Sequence, residues 1–153
     1  MTKVPLTNLI FEDNGCPYQN KYQGSDQRLL FVCSAGLLRS PTAAVVAARR
    51  GFNTRSCGSA GYALINLSAN LLEWADKIIF VNSLNLFEAK QTFGIDEYYI
   101  ELLKKKSVVW SIEDDFEYMN PTLVKIINEH LDNQFPGTVL NANPSGQRPS
   151  SRI

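Results

Sequence analysis

The stretch Cys33-Ser34-Ala35-Gly36-Leu37-Leu38-Arg39-Ser40-Pro41 sets a thiol, five intervening residues, a guanidinium and a hydroxyl in a row. Leu29 to Val32 read as a buried strand before it, and Pro41 suits the first turn of a helix whose apolar residues continue through Ala43, Val45, Val46 and Ala47. A short loop between a strand and a helix N-terminus aims several backbone N–H groups at one point, and such a ring binds a tetrahedral oxyanion. A helix start, amide dipoles and a nearby cation also favour a thiolate, the nucleophilic form of cysteine. Arg39 offers a planar pair of donors to two phosphoryl oxygens, which lysine cannot reproduce. Ser40 can donate its hydroxyl to the thiolate, and Gly36 can take a left-handed backbone that turns an amide inward. The expected anion-binding set is therefore Ser34, Ala35, Gly36, Leu37, Leu38, Arg39 and Ser40 around the nucleophile Cys33. A nucleotide-type phosphate loop is disfavoured, because its Lys-Ser/Thr pair and glycine spacing are missing.

Displacing an alcohol or phenol from phosphorus requires a proton for the leaving oxygen. The single histidine, His130, falls on the last expected helix, so a carboxylic acid is the better candidate. Ser111-Ile112-Glu113-Asp114-Asp115-Phe116-Glu117-Tyr118-Met119 is the one loop after a strand dense in acids, and crowded carboxylates favour a retained proton on one of them. One of these carboxylates is the expected acid, set against a purely solvated acidic loop in which Asp114 or Asp115 caps a turn. Phe116 and Tyr118 are either walls for an aromatic substrate or core residues.

The elements that position these groups follow from the chain order. Leu29 to Val32 is the first strand, Ser40 to Arg50 a helix closed by Gly51, and Asn53 to Cys57 a second strand ending in the turn-rich Gly58-Ser59-Ala60-Gly61. Ser68 caps a helix over Ala69 to Ala75, Lys77 to Val81 is a buried strand, and Ser83 to Phe93 a helix ending at Gly94. Val108 to Trp110 is a short last strand and Pro121 to Leu131 a final amphipathic helix, with Lys104-Lys105-Lys106 read as a solvated turn. Strand and helix alternate, which gives a parallel α/β fold with a crevice at the strands' carboxyl edge, where Cys33, Ser59 to Gly61, Asn82 and the acidic loop gather. Residues 1–27 read as an N-terminal extension, 28–133 as one domain and 134–153 as a disordered tail rich in Pro, Gly, Asn and Ser.

Fifteen basic and fifteen acidic residues give a net charge of zero, so bulk charge suggests neither nucleic acid nor an anionic membrane as partner. No apolar run reaches the length of a membrane span and no export signal is visible, which points to the cytoplasm. Cys16, Cys33 and Cys57 have no metal-like spacing and read as reduced thiols, so no metal or other cofactor is expected.

These residues resemble the low-molecular-weight protein tyrosine phosphatase family, over about Arg28 to Leu131. Cys33 to Pro41 is similar to its phosphate-binding loop, Ser59-Ala60-Gly61 to the segment after its second strand, and Ile112-Glu113-Asp114 to its acid loop; Asp114 to Pro121 looks like a small divergent bacterial and phage branch. The resemblance implies a three-layer sandwich with a four-stranded parallel sheet flanked by helices, a phosphocysteine intermediate without metal, and Asp114 as general acid with Asp115 as the fallback. It also implies a phosphotyrosine protein or small aryl phosphate as substrate, inorganic phosphate as product, and a monomer. The family usually has asparagine at Gly36, often a second cysteine at Leu38, an acidic residue at Asn82 and Asp-Pro at Asp114-Asp115. Leu37 stands where phosphoarginine phosphatases carry threonine, which tilts the expectation toward phosphotyrosine. Two other classes stay open: a phosphate-recognising module with little turnover, and a thiol-based arsenate reductase that would join Cys33 to Cys57 or Cys16.

Overall fold

The computed structural model describes residues 27–137. The expected N-terminal extension up to residue 26 and the expected tail from 138 onward lie outside the described residues. Four strands, β1 (Arg28–Cys33), β2 (Asn53–Gly58), β3 (Lys77–Phe80) and β4 (Ser107–Val109), form one sheet in the order β2-β1-β3-β4 with every pairing parallel. Five helices connect and cover them: α1 (Arg39–Arg49), α2 (Ala69–Trp74), α3 (Ser83–Phe93), α4 (Glu97–Lys106) and α5 (Pro121–Gln134). The expected four-stranded parallel α/β sandwich is the architecture of the chain.

The central strand β1 shows why the layers form. Its side chains alternate, so Leu29, Phe31 and Cys33 enter a core under α1 and α5, while Leu30 and Val32 enter a second core under α2, α3 and α4. All four residues from Leu29 to Val32 are fully buried. Phe31 packs against Trp110 with ring centroids 5.7 Å apart, and truncating it to alanine would cost about 3–5 kcal/mol. A buried guanidinium also ties α1 to α5, since Arg50 pairs with Asp132 at 2.8 Å and donates to Asn128 Oδ1 at 2.7 Å.

Several boundaries move relative to the sequence reading. Residues 97–106 form α4, capped by Asp96, whose side chain accepts from Tyr98 N at 2.9 Å. The lysine run is thus the last turn of a helix rather than a solvated turn, where cations meet the negative end of the helix dipole. The final helix continues past Leu131 to Gln134, and the Phe135 ring packs tilted against Phe52 with centroids 5.0 Å apart, so the packed body runs beyond residue 133. The last strand begins one residue earlier, at Ser107, and Trp110 turns its ring into the α1/α5 core.

Candidate active site

The carboxyl ends of β1, β2 and β3 open on one side of the sheet, and Cys33 is the last residue of β1. The chain leaves β1 through Ser34 to Leu38 and enters α1 at Arg39. Gly36 has φ +69°, the left-handed region that the sequence reading required of it. That conformation turns its N–H back to donate to Cys33 Sγ at 3.2 Å. Gly36 also packs closely, for a Cβ there would stand 3.1 Å from Cys57 C and Gly58 N. The N-terminus of α1 carries no side-chain cap and no acid in its own first turn, and its positive end faces the loop.

Ser40 Oγ lies 3.1 Å from Cys33 Sγ and also donates to the Cys57 carbonyl at 3.1 Å. A hydroxyl has one proton, so a neutral thiol can donate to Ser40 while Ser40 donates to Cys57, and a thiolate can draw that proton to itself. Ser40 is fully buried, which keeps water from competing for either arrangement. Arg39 is 5% exposed and fixed by donation from Nη1 to Ile112 O at 2.9 Å, with Nε 3.4 Å from Asp114 Oδ1. The guanidinium is thereby held by the loop that carries the acid.

That acid loop is tethered at both ends. Ile112 N donates to Val81 O at 2.9 Å, and its carbonyl accepts from Arg39 and from Asn82 Nδ2 at 3.5 Å. At the far end Met119 N donates to Thr42 Oγ1 at 2.9 Å, and Asn120 caps α5 by accepting from Thr122 N and Leu123 N. Between these anchors Asp114 is the carboxylate brought to the loop; Asp115 and Glu113 are exposed and line no part of the cleft.

A cleft of about 120 Å³ is lined by Cys33, Ser34, Ala35, Leu37, Leu38, Arg39, Tyr62 and Asp114. Tyr62 was not among the residues singled out in sequence. It follows the Ser59-Ala60-Gly61 turn, is 77% exposed, and supplies the aromatic side of the cleft. Of the two alternatives for Phe116, wall or core, it packs against the α1/α5 core, and neither it nor Tyr118 lines the cleft, whose aromatic lining residue is Tyr62. Sequence spacing held no local signal for this, because Tyr62 reaches the cysteine loop only through β2 pairing beside β1. A larger groove of about 500 Å³ between α3, α4 and β4 is lined by Leu86, Ile100, Leu103 and neighbours, with no cysteine, histidine or carboxylate in its lining.

Cys57 is fully buried in the other core, and burial pushes its thiol well above the ordinary cysteine range, with the Cys33 sulfur adding to the effect. Cys33 and Cys57 belong to cores on opposite faces of the sheet, an arrangement that does not favour a disulfide between them. Cys16 lies outside the described residues. Among the described residues no cluster of three His, Cys, Asp or Glu side chains is placed to hold a metal ion, and no helix is long and apolar enough to cross a membrane.

No protein-family profile matches the chain, and no curated protein matches it in sequence. Solved structures match at low identity. The YwlE arginine phosphatase from Geobacillus stearothermophilus is 18% identical over 71% of this chain and 87% of its own, with a TM-score of 0.49. A YwlE mutant from Bacillus subtilis is 19% identical over 71% of this chain and 93% of its own, at 0.44, and YfkJ from Bacillus subtilis is 17% identical over 73% and 98%, at 0.47. At such values an activity has to be read from the side chains themselves.

Proposed function

We propose that the protein is a metal-independent phosphomonoester hydrolase of the low-molecular-weight tyrosine phosphatase type, with Cys33 as nucleophile. The observation that carries this reading is the surroundings of one sulfur atom. Cys33 Sγ receives the Gly36 N–H at 3.2 Å and meets the buried Ser40 hydroxyl at 3.1 Å, at the uncapped N-terminus of α1. Those contacts suit a thiolate beside an oxyanion-binding loop better than a packed thiol.

In this mechanism the loop amides and Arg39 hold the phosphoryl oxygens, and the Cys33 thiolate attacks phosphorus in line with the leaving oxygen. The P–O bond breaks as Asp114 gives that oxygen its proton, leaving a phosphocysteine. Water then attacks phosphorus, Asp114 takes the proton of that water, and the P–S bond breaks to return the thiolate and release inorganic phosphate. Ser40 shifts its hydroxyl proton toward the departing sulfur. Arg39 Nε lies 3.4 Å from Asp114 Oδ1. A phosphoryl dianion would compete for that donor.

The substrate read from the cleft is an aryl phosphate, including phosphotyrosine. Tyr62 gives the cleft an aromatic ring and Leu37 an apolar side chain, while no carboxylate besides Asp114 lines the cleft to receive a cationic guanidine. Hydrolysis of an aryl phosphate in chelator-treated buffer tests the assignment. Cys33→Ser is expected to abolish turnover, whereas full activity in that variant would overturn it.

A further inference from the structure

Behind the cysteine loop, α3 contributes a carboxylate that does not line the cleft. Glu88 Oε1 accepts from Ser34 Oγ at 2.9 Å, from Ser59 Oγ at 2.8 Å and from Asn85 Nδ2 at 3.4 Å. Asn85 Nδ2 also donates to Ser34 Oγ at 2.9 Å, so the Ser34 hydroxyl is fixed as a donor to Glu88 and an acceptor from Asn85. Ser59 Oγ has a second acceptor in Cys33 O at 3.3 Å, yet it holds one proton, and the charged oxygen at 2.8 Å is the stronger partner. Asn85 is fully buried and its Oδ1 has no partner among the described residues, so this amide is held in place by its donor side alone.

The donors come from three separate segments. Ser34 is in the loop after β1, Ser59 in the turn after β2, and Asn85 in α3. The two loops are also joined along their backbones, by Ser59 N to Cys33 O at 2.8 Å, Ala60 N to Ser34 O at 3.1 Å and Leu64 N to Ala35 O at 2.9 Å. Glu88 adds the side-chain tie from both loops to a helix. A carboxylate next to an anion-binding loop opposes the bound anion, so its presence there calls for a return in geometry.

We propose that Glu88 is a positioning residue that fixes the Cys33 loop against the turn carrying Tyr62, holding nucleophile and substrate wall in register. The kinetic part of this proposal rests on the phosphatase reading; the loop geometry does not. Glu88→Ala removes the acceptor, whereas Glu88→Gln keeps an acceptor oxygen and removes the charge.

Each variant is assayed with an aryl phosphate, and in parallel Cys33 is alkylated by iodoacetamide with and without inorganic phosphate. Glu88→Ala is expected to lower kcat by about 10- to 100-fold, the scale of a misplacement near 1 Å, and to weaken phosphate protection of Cys33. Glu88→Gln is expected to recover most of kcat and to strengthen phosphate protection, because the opposing charge is gone. A merely structural carboxylate would not separate these two readouts in opposite directions. If Glu88→Ala fails to fold, Ser59→Ala, which removes one donor, is expected to give a smaller loss of the same kind. A kcat within about twofold of the parent in Glu88→Ala with unchanged protection would overturn the proposal, as would equal damage in Glu88→Gln. Should the parent hydrolyse no aryl phosphate, the phosphatase reading fails, and the alkylation arm alone still decides on Glu88.

Discussion

Arg39 Nε stands 3.4 Å from Asp114 Oδ1, and the two side chains differ sharply in freedom, 6% exposed against 70%. The cation is held by its bond to Ile112 O, while the carboxylate sits at the cleft rim. In the proposed mechanism a phosphoryl group entering the loop would meet a fixed guanidinium and displace the exposed Asp114 carboxylate toward the leaving oxygen. The acid loop, which lacks Asp-Pro, still has a defined place because its two ends are bonded to Val81 and Thr42.

Asp114→Asn is expected to lower kcat on an aryl phosphate by about 10²- to 10⁴-fold, the usual worth of a positioned acid. Asp115→Asn is expected to change it little, since Asp115 does not line the cleft. Steady-state rates of the two variants side by side separate the neighbours, and a larger loss in Asp115→Asn would move the assignment.

Gly36→Ala should weaken both fold and loop. An L-residue in the left-handed region costs about 1–2 kcal/mol, and the new Cβ would press on backbone atoms of Cys57 and Gly58 at 3.1 Å. Thermal unfolding and inorganic phosphate binding are expected to fall together, and an unchanged Tm would contradict the strain.

Tyr62→Ala tests the wall. KM for an aryl phosphate should rise about two- to tenfold, the worth of an aromatic contact, while inhibition by inorganic phosphate stays the same. Equal effects on both ligands would mean that Tyr62 orders the loop rather than touching the ring.

A stability effect with acid follows from His130, which stacks on the Trp110 ring with centroids 4.8 Å apart. Burial pushes this imidazole below the ordinary histidine range, and Glu129 opposes the shift in part. Above that range both states are neutral and the site contributes nothing; as pH falls below it, the unfolded chain takes up a proton that the folded stack resists, so stability drops. His130→Phe, which keeps a ring against Trp110, should flatten the decline in Tm between about pH 7 and pH 5.

The strand, loop and helix around Cys33 were legible because each carried its own local signal: an apolar run, a glycine able to turn, and a proline at a helix start. Asp114 was legible as part of a loop between Trp110 and Pro121, and the family resemblance pointed to it ahead of Asp115; its contact with Arg39 is a long-range pairing with no periodicity to announce it. Residues 97–106 escaped notice because α4 buries only Leu103 fully, so its apolar stripe is thin. Asp96 was a readable cap that went unused. Tyr62, Asn85 and Glu88 were hidden for a different reason, since strand order β2-β1-β3 brings their segments to the loop from either side of β1. Phe116 could not be divided between wall and core by type alone, and packing decided it.

The central claim is a covalent bond between Cys33 and phosphorus. Mixing the protein with an aryl phosphate, quenching in acid within one turnover and mapping peptides by mass spectrometry reads it directly. A phosphoryl group on the Cys33 peptide, increased in Asp114→Ala and missing in Cys33→Ser, is the predicted result. Turnover of the substrate with Cys33 unmodified throughout would contradict the account.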